Sequence, residues 1–547
     1  MRIKNILRTL SLLIIVGLIA GPGGSQAALA QAGQYEASPP VFSTAGDGQS
    51  TLSLQSSIPN FILRSRKVNV NLDALTQDGQ VKLSSDRNYI SYSFNLFSDT
   101  DLQVVFNRVE RAGKFTSYIG SVLGDRGSEV IMTVGSGIMH ANLNLSNASY
   151  QIRYAEGEGH TISQVDYSAL PQEKEPQTPG YIPTIASVDG PTLQSATFST
   201  IDVMVVYTPA ARVKAGGLAS IKAKINTAIA ESNTGVTNSS IAQKFRLVHS
   251  QEVSYIEPSQ DAFGKALSQI TANNDGIIDN VHNLRKKYGA DVVVFLIDDY
   301  QYCGIGWLMT PEWLSTAFSK LAFSVVSINC ATGSYSFAHE IGHNMGAGHD
   351  AYVKGYGAYA YSKGFVHLAS QSLTIMSYYD KCSANNQYCY RRNLWSGNNV
   401  YFEGILMGGK GARNNLTLNN TRAIVENFMP KVMGKPGKPI PISPADGVFS
   451  NPPSFVWQPG TGKRIIKYRV VIKDQHTNAL IKRKVIKAVN ICFEGTCTFT
   501  PVLPLSGTDL KWHVKAYNRS GWGKFSAWQF FSLAPLMKST IRFHPSK

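Results

Sequence analysis

Short runs in which apolar and polar positions alternate fill residues 35–170. Val68–Leu72, Tyr89–Leu96, Leu102–Val109, Val130–Val134 and Tyr150–Tyr154 are the clearest, separated by Gly, Asn and Asp. A period of two puts every second side chain on one face of an extended chain, so the spacing predicts a β-rich domain. Leu170–Ser199 breaks the pattern with Pro-Gln-Glu-Lys-Glu-Pro-Gln-Thr-Pro-Gly and then scattered Pro, Gly, Ser and Thr. That composition reads as an extended, protease-accessible linker. From Ile201 the apolar runs lengthen. Ile201–Tyr207, Phe245–Val253, Ala290–Ile297 and Leu321–Ile328 read as strands, the first and third apolar enough to be buried on both faces. Between them, Ala211, Val213, Ile221, Ile225 and Ala228 recur at helical spacing from Pro209 to Ser232. Ile277, Ile278, Val281 and Leu284 do so from Asp275 to Tyr288. Strand, helix, strand, helix, strand describes an α/β layer with a mixed sheet. After a Lys, Pro and Gly linker at Pro430–Pro444, strand-length runs return at Phe455–Trp457, Ile465–Ile472, Val485–Ile491, Lys511–Tyr517 and Trp528–Phe531.

At 547 residues the chain exceeds what one core supports, so a multidomain α+β protein is expected. Arg2, Lys4 and Arg8 precede an apolar run, Leu10 to Ala20, followed by Ala28-Leu-Ala30 and Ala30-Gln-Ala32. A charged end, a short apolar core and small-residue cleavage sites make residues 1–32 a secretory leader. No later run is long enough to span a bilayer, so no transmembrane anchor is expected and the mature protein reads as secreted. Six cysteines in an exported chain imply disulfides, with fifteen pairings available. Cys492 and Cys497 are placed to close a hairpin and Cys382 and Cys389 a short loop, which leaves Cys303 with Cys330. No Cys-x-x-Cys occurs, so none reads as a metal ligand.

The chemistry concentrates in Phe337–Asp350, Phe-Ala-His-Glu-Ile-Gly-His-Asn-Met-Gly-Ala-Gly-His-Asp. His339 and His343, four apart, project from one helical face one turn apart and can hold one metal ion. Gly346 can take a positive φ, end the helix and let His349 return as a third ligand. Three protein ligands leave the fourth tetrahedral position for water, the catalytic arrangement of zinc. Glu340 stands beside the ligands as a general base.

His-Glu-x-x-His-x-x-Gly-x-x-His-Asp followed by Ser372-Leu-Thr-Ile-Met376-Ser-Tyr378 resembles the metzincin zinc endopeptidases. Asp350 directly after the third histidine is most similar to the adamalysin/reprolysin branch and its bacterial relatives. Val205–Pro209, Tyr288–Asp291, Cys303–Trp307 and Asn419–Arg422 extend the likeness over about residues 200–430. The resemblance implies one catalytic Zn2+, a protein or peptide substrate, Met376 as an apolar floor beneath the metal, and Asp350 as a support for the turn. Tyr378 occupies a position from which a tyrosine reaches the metal in some relatives. No motif indicates Ca2+, although a site is possible. The β-rich region, 33–170, with its linker at 171–199, lies between a leader and a hydrolase and so reads as a propeptide, the alternative being a permanent accessory domain. No cysteine precedes Cys303, so any latency must come from a carboxylate, a backbone group or steric cover. The strand runs and tryptophans after the 431–444 linker resemble a fibronectin type III or immunoglobulin-like β-sandwich at 445–535, with a basic tail at 536–547.

Residues 431–547 hold 19 Lys and Arg against 4 Asp and Glu, +15 of the chain's +16. A module this positive can concentrate an exported enzyme on anionic surfaces or polyanions. Lys482, Arg483, Lys484 and Lys487 form its densest cluster. No base-reading motif is present, so sequence-specific nucleic-acid binding is not expected. The other readings are an envelope- or matrix-binding adhesin on a metalloprotease scaffold and a hydrolase of cell-wall peptides. The residue preferred at the cut bond depends on loops after Met376 that the pattern does not place.

Overall fold

The computed structural model describes residues 40–45, 60–75, 81–84, 90–180, 198–430, 435–460, 465–493, 496–518 and 521–534. The leader at 1–32 and the tail at 536–547 lie outside them.

Nine strands make the N-terminal sheet: β1 (Phe42–Thr44), β2 (Ile62–Val70), β3 (Ser91–Phe97), β4 (Thr100–Ala112), β5 (Phe115–Val122), β6 (Asp125–Gly135), β7 (Ile138–Asn144), β8 (Ser149–Ala155) and β9 (Gly159–Val165). They lie antiparallel in the order β1-β2-β9-β8-β7-β6-β5-β4-β3. The two ends meet where the Val41 amide donates to Ser93 O and Asn95 brackets the Phe42 backbone. The sheet therefore curls around one core that includes Phe94, Phe106, Met132, Met139 and Ile152. Four strands lie outside the runs read from alternation: β1, β5, β7 and β9. In β5 and β7 nearly every position is buried, because both faces of that part of the sheet are covered, so polar and apolar side chains do not alternate.

The central region is built on β10 (Ser199–Tyr207), β11 (Gln243–Glu252), β12 (Val292–Ile297), β13 (Gly304–Gly306) and β14 (Phe323–Ser327). Their order is β11-β10-β12-β14-β13, all parallel except the edge strand β13. The helix expected from Pro209 is two, Pro209–Lys214 and Leu218–Asn238, because Gly216 and Gly217 both take positive φ between them. The longer helix is buried along most of its length. Ile221, Ile225 and Ile229 face the central core, while Ala223 and Ala230 meet Phe115, Ile138, Ile119 and Ile131 of the N-terminal sheet. Small residues on the second face let the helix approach that sheet closely. Two further helices, Ala262–Thr271 and Asn414–Val425, complete this region; the first buries Phe263, Ala266, Leu267 and Ile270 along one face.

Residues 172–177 depart from the free, accessible linker expected there. The Lys174 and Gln177 amides donate to Gly304 O and Gly306 O, and the Cys303 and Leu308 amides donate to Gln172 O and Gln177 O. The segment thus adds to the exposed edge of β13 and runs parallel to it. An edge strand left with unpaired amides and carbonyls takes up an extended chain in this way. Residues 181–197, the remainder of that linker, are outside the described residues.

In the C-terminal region two sheets share one core of Phe455, Trp457, Tyr468, Trp512 and Phe531. Lys482, Arg483, Lys484 and Lys487 lie on the outermost strand, Leu480–Lys487, of the larger sheet. Disulfides join Cys303 to Cys330, Cys382 to Cys389 and Cys492 to Cys497. Among the described residues, no helix is long and apolar enough to cross a membrane.

Candidate metal centre

The helix Ser336–Asn344 carries His339, Glu340 and His343 and is buried throughout. It ends as the motif requires. Gly346 has φ +84°, and a Cβ there would sit 2.4 Å from that of Ala358, so the chain turns sharply and returns His349. Gly342 lets the helix rest on the later turn: a Cβ there would lie 2.7 Å from the Trp395 ring and 2.9 Å from Met376 Sδ. Met376 is thus packed beneath the helix and away from solvent.

The three imidazoles converge on one point. His339 Nε2 and His343 Nε2 lie 3.1 and 3.0 Å from His349 Nε2. Their other nitrogens are committed, with His339 Nδ1 donating to Ile375 O at 2.9 Å and His343 Nδ1 to Ala347 O at 3.0 Å. Those two donations fix the tautomer and leave acceptor lone pairs at Nε2 facing the third ring. Lone pairs so aligned repel unless a cation sits among them, and this is the one His/Cys/Asp/Glu cluster among the described residues with metal-ligating geometry. The donor set, three neutral imidazoles, suits zinc.

Glu340 is fully buried, and neither carboxylate oxygen has a hydrogen-bond partner. Burial pushes its pKa well up, assisted by the negative charge of Glu173. Room for it comes from the edge strand, since a Cβ at Gly304 would stand 2.5 Å from Oε1 and one at Gly306 3.0 Å from Oε2. A buried, unpaired carboxylate beside a cation site is costly without a role, because leaving a buried acceptor unmade costs about 1–3 kcal/mol.

Asp350 accepts from the Tyr352 amide at 2.9 Å and the Tyr378 amide at 3.0 Å, tying the third histidine to the turn of Met376. The Tyr378 ring lies 4.2 Å from that of His349, and its hydroxyl donates to Glu173 O at 2.8 Å. The disulfide between Cys303 and Cys330 flanks β13, while the other two lie outside the cluster.

Several side chains at this site carry no motif. Glu173 is buried and receives two hydrogen bonds from Arg391, at 2.6 and 3.1 Å, and one from the Ser336 hydroxyl at 2.8 Å. Burial raises its pKa, but Arg391 outweighs this and holds the carboxyl well below the usual range. Two residues on, Glu175 Oε1 approaches His349 Nδ1 at 3.5 Å. The signals were thin: two acids in a proline-rich run, and an Arg-Arg pair after the methionine.

A family model described as Metallo-peptidase family M12 matches residues 197–390. Three bacterial relatives carry the name peptidyl-Asp metalloendopeptidase. One from Stenotrophomonas maltophilia strain R551-3 is 34% identical over 56% of this chain and 71% of its own length. Another from strain K279a is 33% identical over 58% and 74%. The protein from Xanthomonas campestris pv. campestris is 34% identical over 51% and 64%.

Proposed function

Because this chain belongs to the bacterial M12 zinc metallopeptidases and is a metalloendopeptidase, we propose that it is exported and cuts peptide bonds at the three-histidine centre, with Glu340 as general base. The observation that carries this reading is the pairing of three converging Nε2 lone pairs with a buried carboxylate that has no other partner. His339, His343 and His349 would hold one zinc ion, which when bound supplies Lewis acidity toward a carbonyl and toward water. Glu340 takes the proton of the attacking water and delivers it to the leaving amine. Gly304 and Gly306 keep the space in which that carboxylate moves. The exposed edge of β13 offers an extended peptide the backbone pairing that Gln172–Gln177 now uses.

The leader-like residues 1–32 and three disulfides support export. The N-terminal sheet with residues 171–180 acts as a propeptide, supported by the seat of Glu173 and Lys174 across the site. The basic C-terminal region, read as a fibronectin type III-like module, directs the enzyme to anionic surfaces. The relatives' name supplies a substrate proposal, cleavage beside aspartate.

Casein cleavage by the purified protein tests the mechanism. A chelator should abolish it and zinc restore it. Glu340→Gln should lose at least a hundredfold in rate, the scale of general-base contributions, while still binding zinc. A Glu340→Gln protein that cleaves at the wild-type rate overturns the assignment.

A further inference from the structure

Arg391 and Ser336 surround the Glu173 carboxylate and form a filled polar recess between the start of the histidine helix and the turn after Met376. Arg391 also donates to Ser334 O at 3.2 Å and Ser377 O at 3.0 Å, and its side chain is almost wholly buried. Ser336 adds a hydroxyl from one turn before His339. Every group turned on the Glu173 carboxylate here is a donor, and Arg391 is permanently charged. Such a recess favours a carboxylate and rejects an amide or an apolar side chain, because a guanidinium buried without its acid is an uncompensated charge. Bidentate geometry adds directional selectivity.

The acid now in the recess arrives on a peptide-like segment. Glu173 lies 218 residues from Arg391 in sequence, on the stretch that adds to the edge of β13 as an extended ligand. Two residues along, Glu175 is beside His349, so the recess lies within two residues of the metal position on an extended chain. In sequence, residues 181–197 separate this stretch from β10, so the contacts it makes with β13 and Arg391 are not imposed by a short covalent connection.

We propose that Arg391 is a specificity-determining residue that selects an acidic side chain next to the cut bond, and that Glu173 is a built-in substrate mimic filling its recess. The inference rests on the endopeptidase reading and adds to it the residue that reads the substrate and the residue that blocks the reader. Departure of Gln172–Gln177 opens the edge of β13 and the recess together.

Full-chain wild type, Glu173→Gln and the double variant Glu173→Gln/Arg391→Gln are assayed with zinc on peptides differing at one position, Asp, Asn, Glu, Gln or Leu. The cut positions are read by mass spectrometry. Glu173→Gln should cleave Asp peptides at least tenfold faster than wild type and at least tenfold faster than their Asn counterparts. In the double variant the Asp-to-Asn ratio should fall at least tenfold. Cleavage by the double variant with an undiminished ratio overturns the inference and leaves the endopeptidase reading standing. Where circular dichroism shows the double variant unfolded, Glu173→Gln decides alone, and equal rates on Asp and Asn peptides overturn the inference. Failure of every form to cleave any peptide overturns the endopeptidase reading and this inference with it.

Discussion

Asp350 shows how much a single side chain holds at this centre. Its two oxygens take the amides of Tyr352 and Tyr378, and the second of those amides is buried. Asp350→Ala leaves the Tyr378 N–H without an acceptor, a cost of about 1–3 kcal/mol. It also frees the turn that aligns His349, and loss of such outer support typically weakens metal binding about 10- to 100-fold. Competition with a chromophoric chelator should show that loss, and unchanged zinc affinity would remove Asp350 from this role. The histidines, Glu340, Gly346 and Asp350 were legible because they fall within twelve consecutive residues, where helical spacing brings His339 to His343 and a glycine turn returns His349. Glu173 and Arg391 were not, because each reads as ordinary surface charge in its own neighbourhood. Only the fold brings them to 2.6 Å.

The histidine helix and β13 are matched elements, joined where side chains are missing. Glycine in a helix costs about 0.5–1 kcal/mol relative to alanine, so Gly342→Ala would stabilise an isolated helix. In place, the new methyl meets the Trp395 ring and Met376 Sδ inside 3 Å, and overpacking of this kind costs about 1–3 kcal/mol. The second effect outweighs the first. Gly342→Ala should therefore lower the melting temperature by several degrees and reduce activity, and a stabilised protein would contradict the packing described. Gly304→Ala should cost activity more than stability, because its methyl reaches the Glu340 carboxylate in place of a core ring. Elements with one apolar rhythm, such as β10, β12 and the helix Asn280–Tyr288, could be read in advance. Strand β13 could not: three residues with two glycines carry no period, and pairing with β14 defines it.

At the scale of the whole molecule, the N-terminal sheet is held to the central region across a layer rich in buried polar groups. Glu129 of β6 accepts from Asn393 at 3.0 Å and Tyr335 at 3.2 Å, and burial pushes its pKa up to about 7. A carboxyl near 4.5 when exposed and near 7 when docked takes up a proton on docking. The stabilisation from that protonation is fully present below pH 4.5 and is lost as pH rises through 7. Glu231, on the long helix, shifts in the same sense, to about 8, through burial. His140 and Lys224 in the same layer are lowered by burial, so each disfavours docking at the acid end of its own range and opposes the carboxyls. Comparison of wild type with Glu129→Gln removes one carboxyl and its repulsion of Glu231 from this mixture, since the amide keeps an acceptor for Asn393 and Tyr335 but cannot ionise. After a cut within residues 181–197, both proteins should keep their two parts together equally at pH 5. At pH 9 the wild type should dissociate at least tenfold more readily than Glu129→Gln, measured by size-exclusion chromatography across a dilution series. A shift of one pKa unit corresponds to about 1.4 kcal/mol, so even half of the Glu129 shift suffices for a tenfold difference. Equal dissociation at pH 9 would mean that water reaches Glu129 in the docked protein and that this carboxyl does not couple propeptide release to pH.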